Sequence, residues 1–164
     1  MRNSFDMQLR KLNNELIEMG SLIETAIARA YKGLINQNIE IAKENVEFDR
    51  EIDQKEKEVE NICLKLLLQQ QPVASDLRLI SSAIKMITDM ERIGDQAADI
   101  SEIAGFINDR QSEERGYIKL MAEAAVNMMT ESIRDIPTPC VKSPTVPAPE
   151  SRLCPTALSN IANT

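Results

Sequence analysis

The chain has 164 residues, 43% of them hydrophobic but only 3% aromatic and none Trp, which suits one domain, or one domain with a tail, whose core is Leu, Ile, Met and Ala. With 27% charged residues, that mixture fits packed helices better than a sheet. A net charge of −7 argues against nucleic acid as the main partner, and the absence of His excludes imidazole acid–base catalysis and His-ligated metal sites, so any metal is held mainly by oxygen.

Residues 5–36 read as one long helix. Leu9, Leu12, Leu16, Met19, Ile23, Ala26, Ala30 and Gly33 follow the alternating three–four spacing of a bundle seam. Asn36-Gln37-Asn38 is a polar break. A second helix runs from about 39 to 70 with Ile41, Phe48, Ile52, Val59, Ile62 and Leu66 on one stripe. Pro72 stops it, because proline lacks an amide donor and disfavours helix in the residue before it. Ser75 can cap a third helix, and Asp76 suits its positive end. That helix reaches about 108 on Leu79, Ala83, Met86, Met90, Ile93, Ala97, Ile100, Ala104 and Ile107. Short connections dictate an antiparallel up-down-up bundle.

A fourth helix begins near Glu113, with Ile118, Met121, Ala125, Met128 and Ile133 as its apolar stripe. That stripe is expected to dock on the first bundle, to pair with the same helix of another chain or to fray, with self-association favoured. Six of the seven prolines then fall between Pro137 and Pro155, which no helix tolerates. Residues 136–164 are therefore expected to be an irregular, disordered tail, with Pro144-Thr-Val-Pro147 giving only weak proline-motif character.

Cys63, Cys140 and Cys154 form no close-spaced pair, and Cys63 reads as a buried thiol. No apolar run follows Met1–Asp6 and no stretch approaches the roughly 20 apolar residues of a membrane span, so a cytoplasmic location is expected.

Two acidic pairs stand out. Asp49 and Asp53 on the second helix, and Glu91 and Asp95 on the third, are each four residues apart and so share a helix face. Like charges one turn apart repel, and these lie beside apolar stripes. The Asp49 pair alone reads well as a solvated face that Lys55 and Lys57 offset. Glu91 and Asp95 flank Ile93 and Gly94, and a glycine inside a helix costs about 1 kcal/mol relative to Ala. Close approach of a neighbouring helix or a bound group accounts for it, while Arg92 reads as a salt-bridge residue. Across an antiparallel turn at 71–75 both pairs stand at similar height, so four carboxylates are expected to converge on one patch. An all-oxygen set selects hard cations such as Mg²⁺, Ca²⁺, Mn²⁺ or Fe³⁺.

Gln71-Pro-Val-Ala-Ser-Asp-Leu-Arg78 followed by Glu91-Arg-Ile-Gly-Asp95, with the upstream Glu47-x-Asp49-x-x-x-Asp53 and Met19-Gly20, resembles the PhoU family over residues 1 to about 135. The resemblance implies tandem three-helix bundles with Glu/Asp-x-x-x-Asp motifs that hold multinuclear metal clusters in some members. Asp49, Asp53, Glu91 and Asp95 match those motifs. It further implies a cytoplasmic, homodimeric negative regulator of phosphate uptake and of the phosphate-starvation response. Such a regulator links the transporter ATPase PstB to the sensor kinase PhoR and meets the membrane only through partners.

The chain departs from that pattern after about residue 135, where the acidic motifs of a second repeat fail to follow. The expected organisation is a first bundle over 1–110, the first helix of an incomplete second repeat over 111–135, and the tail over 136–164. The abrupt change in composition resembles translation in a shifted frame or a truncation. The reading is thus an all-α, non-enzymatic regulator, because no His, evident nucleophile or phosphate-cradling glycine loop is present. A purely structural oligomerisation module without metal is the main alternative, and a metal-dependent hydrolase the lesser one.

Overall fold

Four helices follow one another in the computed structural model, which describes residues 2–69, 73–104 and 115–134. They are α1 (Arg2–Asn36), α2 (Ile39–Gln69), α3 (Ala74–Ala104) and α4 (Arg115–Arg134). The all-α expectation holds. The proline-rich tail, Cys140, Cys154, Pro72 and Ile107 lie outside the described residues.

The joint between α1 and α2 is built locally. The Asn38 amide donates to the Gly33 carbonyl at 3.2 Å, and Gln37 takes a φ of 51°. This is the left-handed cap that more often uses glycine. The Asn38 side-chain oxygen then accepts from the amides of Glu40 and Ile41 and starts α2. Helix α3 begins at Ala74, one residue before the expected cap. Ser75 lies inside its first turn, and the Leu77 amide donates to the Val73 carbonyl.

Helices α1, α2 and α3 each pack on the other two. Their shared core holds Leu9, Leu12, Leu16, Met19 and Ile23 from α1, Ile52, Val59, Cys63 and Leu66 from α2, and Ile80, Ala83, Ile87 and Met90 from α3. The α1 seam matches the expected stripe. On α3 the most buried line is Ile80, Ile87, Gly94 and Ser101, one residue beyond the expected 79, 86, 93, 100, and Ile100 is 44% exposed. Small residues occupy the closest helix approach, which a search for large apolar side chains passes over. A Cβ on Gly94 would stand 2.9 Å from Ile52 Cδ1, so helix proximity is the reason for that glycine. Arg92 pairs with Asp89 at the surface, as a salt-bridge residue should.

Asn45 was not singled out by sequence pattern, yet it ties the three helices together. Its side-chain amide reaches the Ala26 carbonyl on α1 at 3.1 Å and Ser101 Oγ on α3 at 2.9 Å. Such a polar contact in a core fixes which residues face each other.

Helix α4 runs antiparallel along α1. Met129 and Ile133 close over Gly20, where a Cβ would lie 2.5 Å from Ile133 Cδ1. Thr130 Oγ1 donates to the buried Glu24 carboxylate at 2.8 Å, and Ile118 and Ala122 pack beside Ala28 and Tyr31. The docked stripe is therefore 118, 122, 126, 129 and 133. Met121 and Met128 of the expected stripe face solvent, at 71% and 65% exposure. Spacings of three and four fit either phase on an alanine- and methionine-rich helix, and contact with α1 selects the one that places Thr130 on Glu24.

Candidate metal centre

The carboxylate positions follow from helix phase. Residues 49, 53, 56 and 60 of α2 fall on one stripe, as do 91, 95 and 99 of α3. The short α2–α3 separation at Gly94 and Ile52 brings those stripes together. One oxygen from each of Asp49, Asp53 and Asp95 lies within 4.8 Å of the others, and all three residues are half-buried. Glu91 stands beside this trio without adding an oxygen to it.

The electrostatics reflect this crowding. Burial pushes the Asp49 carboxyl above the ordinary carboxylate range, and the charges of Asp95, Asp53 and Asp99 push it further. Glu91 is raised by burial and then by Asp95, Glu56, Asp53 and Asp49. Glu56 is raised by burial, Glu60, Asp53 and Asp95, against a smaller opposing pull from Lys57. Glu56 therefore belongs to the same acidic field. It lies three residues beyond Asp53, a spacing that also keeps one helix face.

Asp49 Oδ1 is buried and accepts no hydrogen bond. A buried carboxylate oxygen without a donor is costly. Among the described residues, no Lys or Arg forms an ion pair with Asp49, Asp53, Glu91 or Asp95. Lys55, a candidate to offset the pair, is engaged by Glu15, Glu18 and Glu58 instead. Ions bound by carboxylates at roughly 2.0–2.6 Å hold opposite ligand oxygens about 4–5 Å apart, so the trio's spacing suits a shared cation. The donor set is all oxygen and one of its residues, Asp49, carries a buried oxygen without a donor, so these residues fit a hard metal ion.

The profile of the PhoU domain matches residues 16–104, which span most of the three-helix core and include Asp49, Asp53, Glu56, Glu91 and Asp95. The chain is 33% identical over 131 residues to a phosphate-specific transport system accessory protein PhoU homolog of Pseudomonas putida, covering 79% of this chain and 51% of that protein. It is 39% identical over 108 residues to the homolog of Clostridium acetobutylicum, covering 65% and 49%. The crystal structure of PhoU from Pseudomonas aeruginosa superposes with a TM-score of 0.74 at 30% identity, over 79% of this chain and 63% of that one. The chain thus spans about half the length of the curated relatives it matches.

Proposed function

Since the chain belongs to the PhoU family, we propose that it is a metal-binding adaptor that restrains phosphate uptake and the phosphate-starvation response. Asp49, Asp53, Glu91 and Asp95 hold the metal, with Asp49, Asp53 and Asp95 supplying the nearest oxygens. The observation that carries this reading is the trio's convergence within 4.8 Å, with a buried Asp49 oxygen that accepts no hydrogen bond. The metal is a hard cation, iron or one of Mg²⁺, Mn²⁺ and Ca²⁺. It neutralises the field between α2 and α3 and so sets the shape of the surface shown to partners.

Those partners are the ATPase of the phosphate transporter and the phosphate sensor kinase, met in the cytoplasm by a homodimer that performs no catalysis itself. Residues 1–110 act as the complete bundle, 111–135 as the opening helix of a second repeat and 136–164 as an appended tail. The names of the relatives support the phosphate-transport context. Among the described residues, no helix is long and apolar enough to cross a membrane.

The test is elemental analysis of the purified chain, joined to co-purification with the transporter ATPase and the sensor kinase. Metal that is retained by the wild type and lost in Asp49→Asn, with capture of either partner, supports the reading. A metal-free chain that takes up no added cation and captures neither partner rejects it. The exposed α4 side chains Tyr117, Leu120, Met121 and Met128 favour the structural alternative, a module that only self-associates.

A further inference from the structure

Helix α4 is apolar on two sides. Its inner line, with Val126, Met129 and Ile133 buried, packs chiefly on α1. By helical phase the opposite line is Tyr117, Met121, Ala124 and Met128, with Leu120 beside it. Tyr117 and Met121 are each 71% exposed, and Leu120 and Met128 are nearly as open. A helix apolar all round is one that other elements cover on every side, yet only one side of α4 is covered by the described residues.

The pattern of the outward line identifies what covers it. Residues 117, 121, 124 and 128 are spaced four, three and four apart, the repeat with which one helix meets another. No charge lies on that line. Lys119 and Glu123, the charged residues between its ends, are half-buried and fall off it. An anionic lipid surface is held by Lys and Arg on the polar flank of an amphipathic helix, and a single Lys balanced by a Glu supplies no such hold. Directly after α4, six of the seven prolines fall between Pro137 and Pro155, so the adjoining sequence offers no helix to lay across the line. Taking the exposed parts of the four large side chains together gives roughly 500 Å² in one copy and about 1,000 Å² in a pair, the size at which a specific interface begins.

We propose that the outward line of α4 pairs antiparallel with the same line of a second copy, about a two-fold axis passing between Ala122 and Glu123. The line is complementary to itself in that register. Tyr117 meets the partner's Met128, and Met121 meets the partner's Ala124, where the small side chain leaves room for the long one. Methionine adapts to the space that remains. A parallel pair would set Met121 on Met121, leave a gap at Ala124 and align the two helix dipoles unfavourably. The proposal rests on the homodimer reading above and names its interface. It requires no metal, because the metal centre lies on α2 and α3.

The test is analytical sedimentation of the full chain across a concentration series in metal-free buffer, with circular dichroism to confirm that each variant is folded. The wild type should dimerise. Met121→Glu and Ala124→Glu, both at exposed positions, should weaken the dimer about a hundredfold, since each would bury unpaired carboxylates in the pair. A nitroxide on Ser132→Cys, in a chain whose Cys140 and Cys154 are replaced by serine, reports the orientation. The two labels of a dimer should stand about 30 Å apart if the helices are antiparallel and within about 15 Å if they are parallel. A wild type that remains monomeric overturns both the homodimer reading and this interface. A dimer that persists in both glutamate variants leaves the homodimer standing and overturns the interface, and a short label distance overturns the antiparallel register.

Discussion

Two faces of α2 each gather carboxylates, and they resolve the resulting repulsion in different ways. On the α1 side, Lys55 Nζ sits 3.0 Å from Glu15, 2.9 Å from Glu18 and 3.4 Å from Glu58. Burial alone would lower the lysine's pKa, but the hydrogen bonds to Glu18 and Glu15 outweigh it and hold the ammonium charged well above its ordinary range. On the α3 side, oxygens of Asp49, Asp53 and Asp95 converge within 4.8 Å, yet among the described residues no cation pairs with them. Clustering of acids is therefore not itself a sign of function. The informative feature is a cluster that no cation pairs with among the described residues.

The largest effect that sharpens this contrast is metal-dependent stability. A cation bound only by the folded chain adds about 2.7 kcal/mol at a hundred times its dissociation constant. Thermal unfolding with and without Mn²⁺, Mg²⁺, Ca²⁺ or iron should show such a gain for the wild type and little for Asp49→Asn or Asp95→Asn. An unchanged midpoint with every ion would remove the distinction between the two faces.

Next comes Gly94→Ala. The new Cβ would press on Ile52 and stand 3.5 Å from Asp49 Oδ1. Overpacking costs roughly 1–3 kcal/mol and better helix propensity returns about 1 kcal/mol, leaving a net loss near 1 kcal/mol in urea unfolding. The metal response should shrink with it, because α2 and α3 move apart at the trio. A variant that keeps full stability and full metal response would show that helix proximity does not set the site.

Lys55→Met probes the other face. It strands Glu15, Glu18 and Glu58 together. Two of those carboxylates are half-exposed and solvent screens them, so the loss should be about 1 kcal/mol and should diminish in high salt. Metal binding should be untouched. Acquisition of a new cation site on this face would show directly that Lys55 takes the place of an ion.

The smallest effect is electrostatic and needs no metal. Relieving one i,i+4 like-charge pair is worth roughly 0.2–0.5 kcal/mol, so metal-free Asp49→Asn should be slightly more stable than wild type at neutral pH. Asp49, Glu56 and Glu91 all have raised folded-state pKa values. The folded chain therefore holds protons at pH values where the unfolded chain has released them. Their contribution to stability is fully present below the unfolded carboxylate range, near pH 4, and is lost as pH rises through the raised values. The advantage of Asp49→Asn should accordingly vanish as pH falls through that window. A difference between the two proteins that does not change with pH would contradict it.

The candidate site was legible in the sequence because i,i+4 carboxylates beside an apolar stripe are a local pattern. Asp49, Asp53 and Asp95 meet as that spacing and the hairpin geometry required. Glu56 reads from sequence as one of many acids on a solvated face, because an i,i+3 step also preserves a helix face and a surface-like Glu does not announce its neighbours. Cys63 read as a buried thiol, and it is one, with burial pushing it up to about 11. The expected phase of α4 failed where the sequence offered two equivalent stripes. Only Gly20 and Glu24, more than a hundred residues away, distinguish Met129 from Met128.

The sequence by itself determined the helices, their order, the apolar seam of α1 and the acidic pairs, because each depends on periodicity and on breakers such as Asn36-Gln37-Asn38 acting over a few residues. Tertiary structure decided which turn of α3 faces inward, how Asn45 joins three helices, which stripe of α4 docks, and that Lys55 serves the opposite face from Asp49. Those outcomes depend on how closely two helix backbones approach, and small residues such as Gly94 and Ser101 set that distance without leaving a hydrophobic signal.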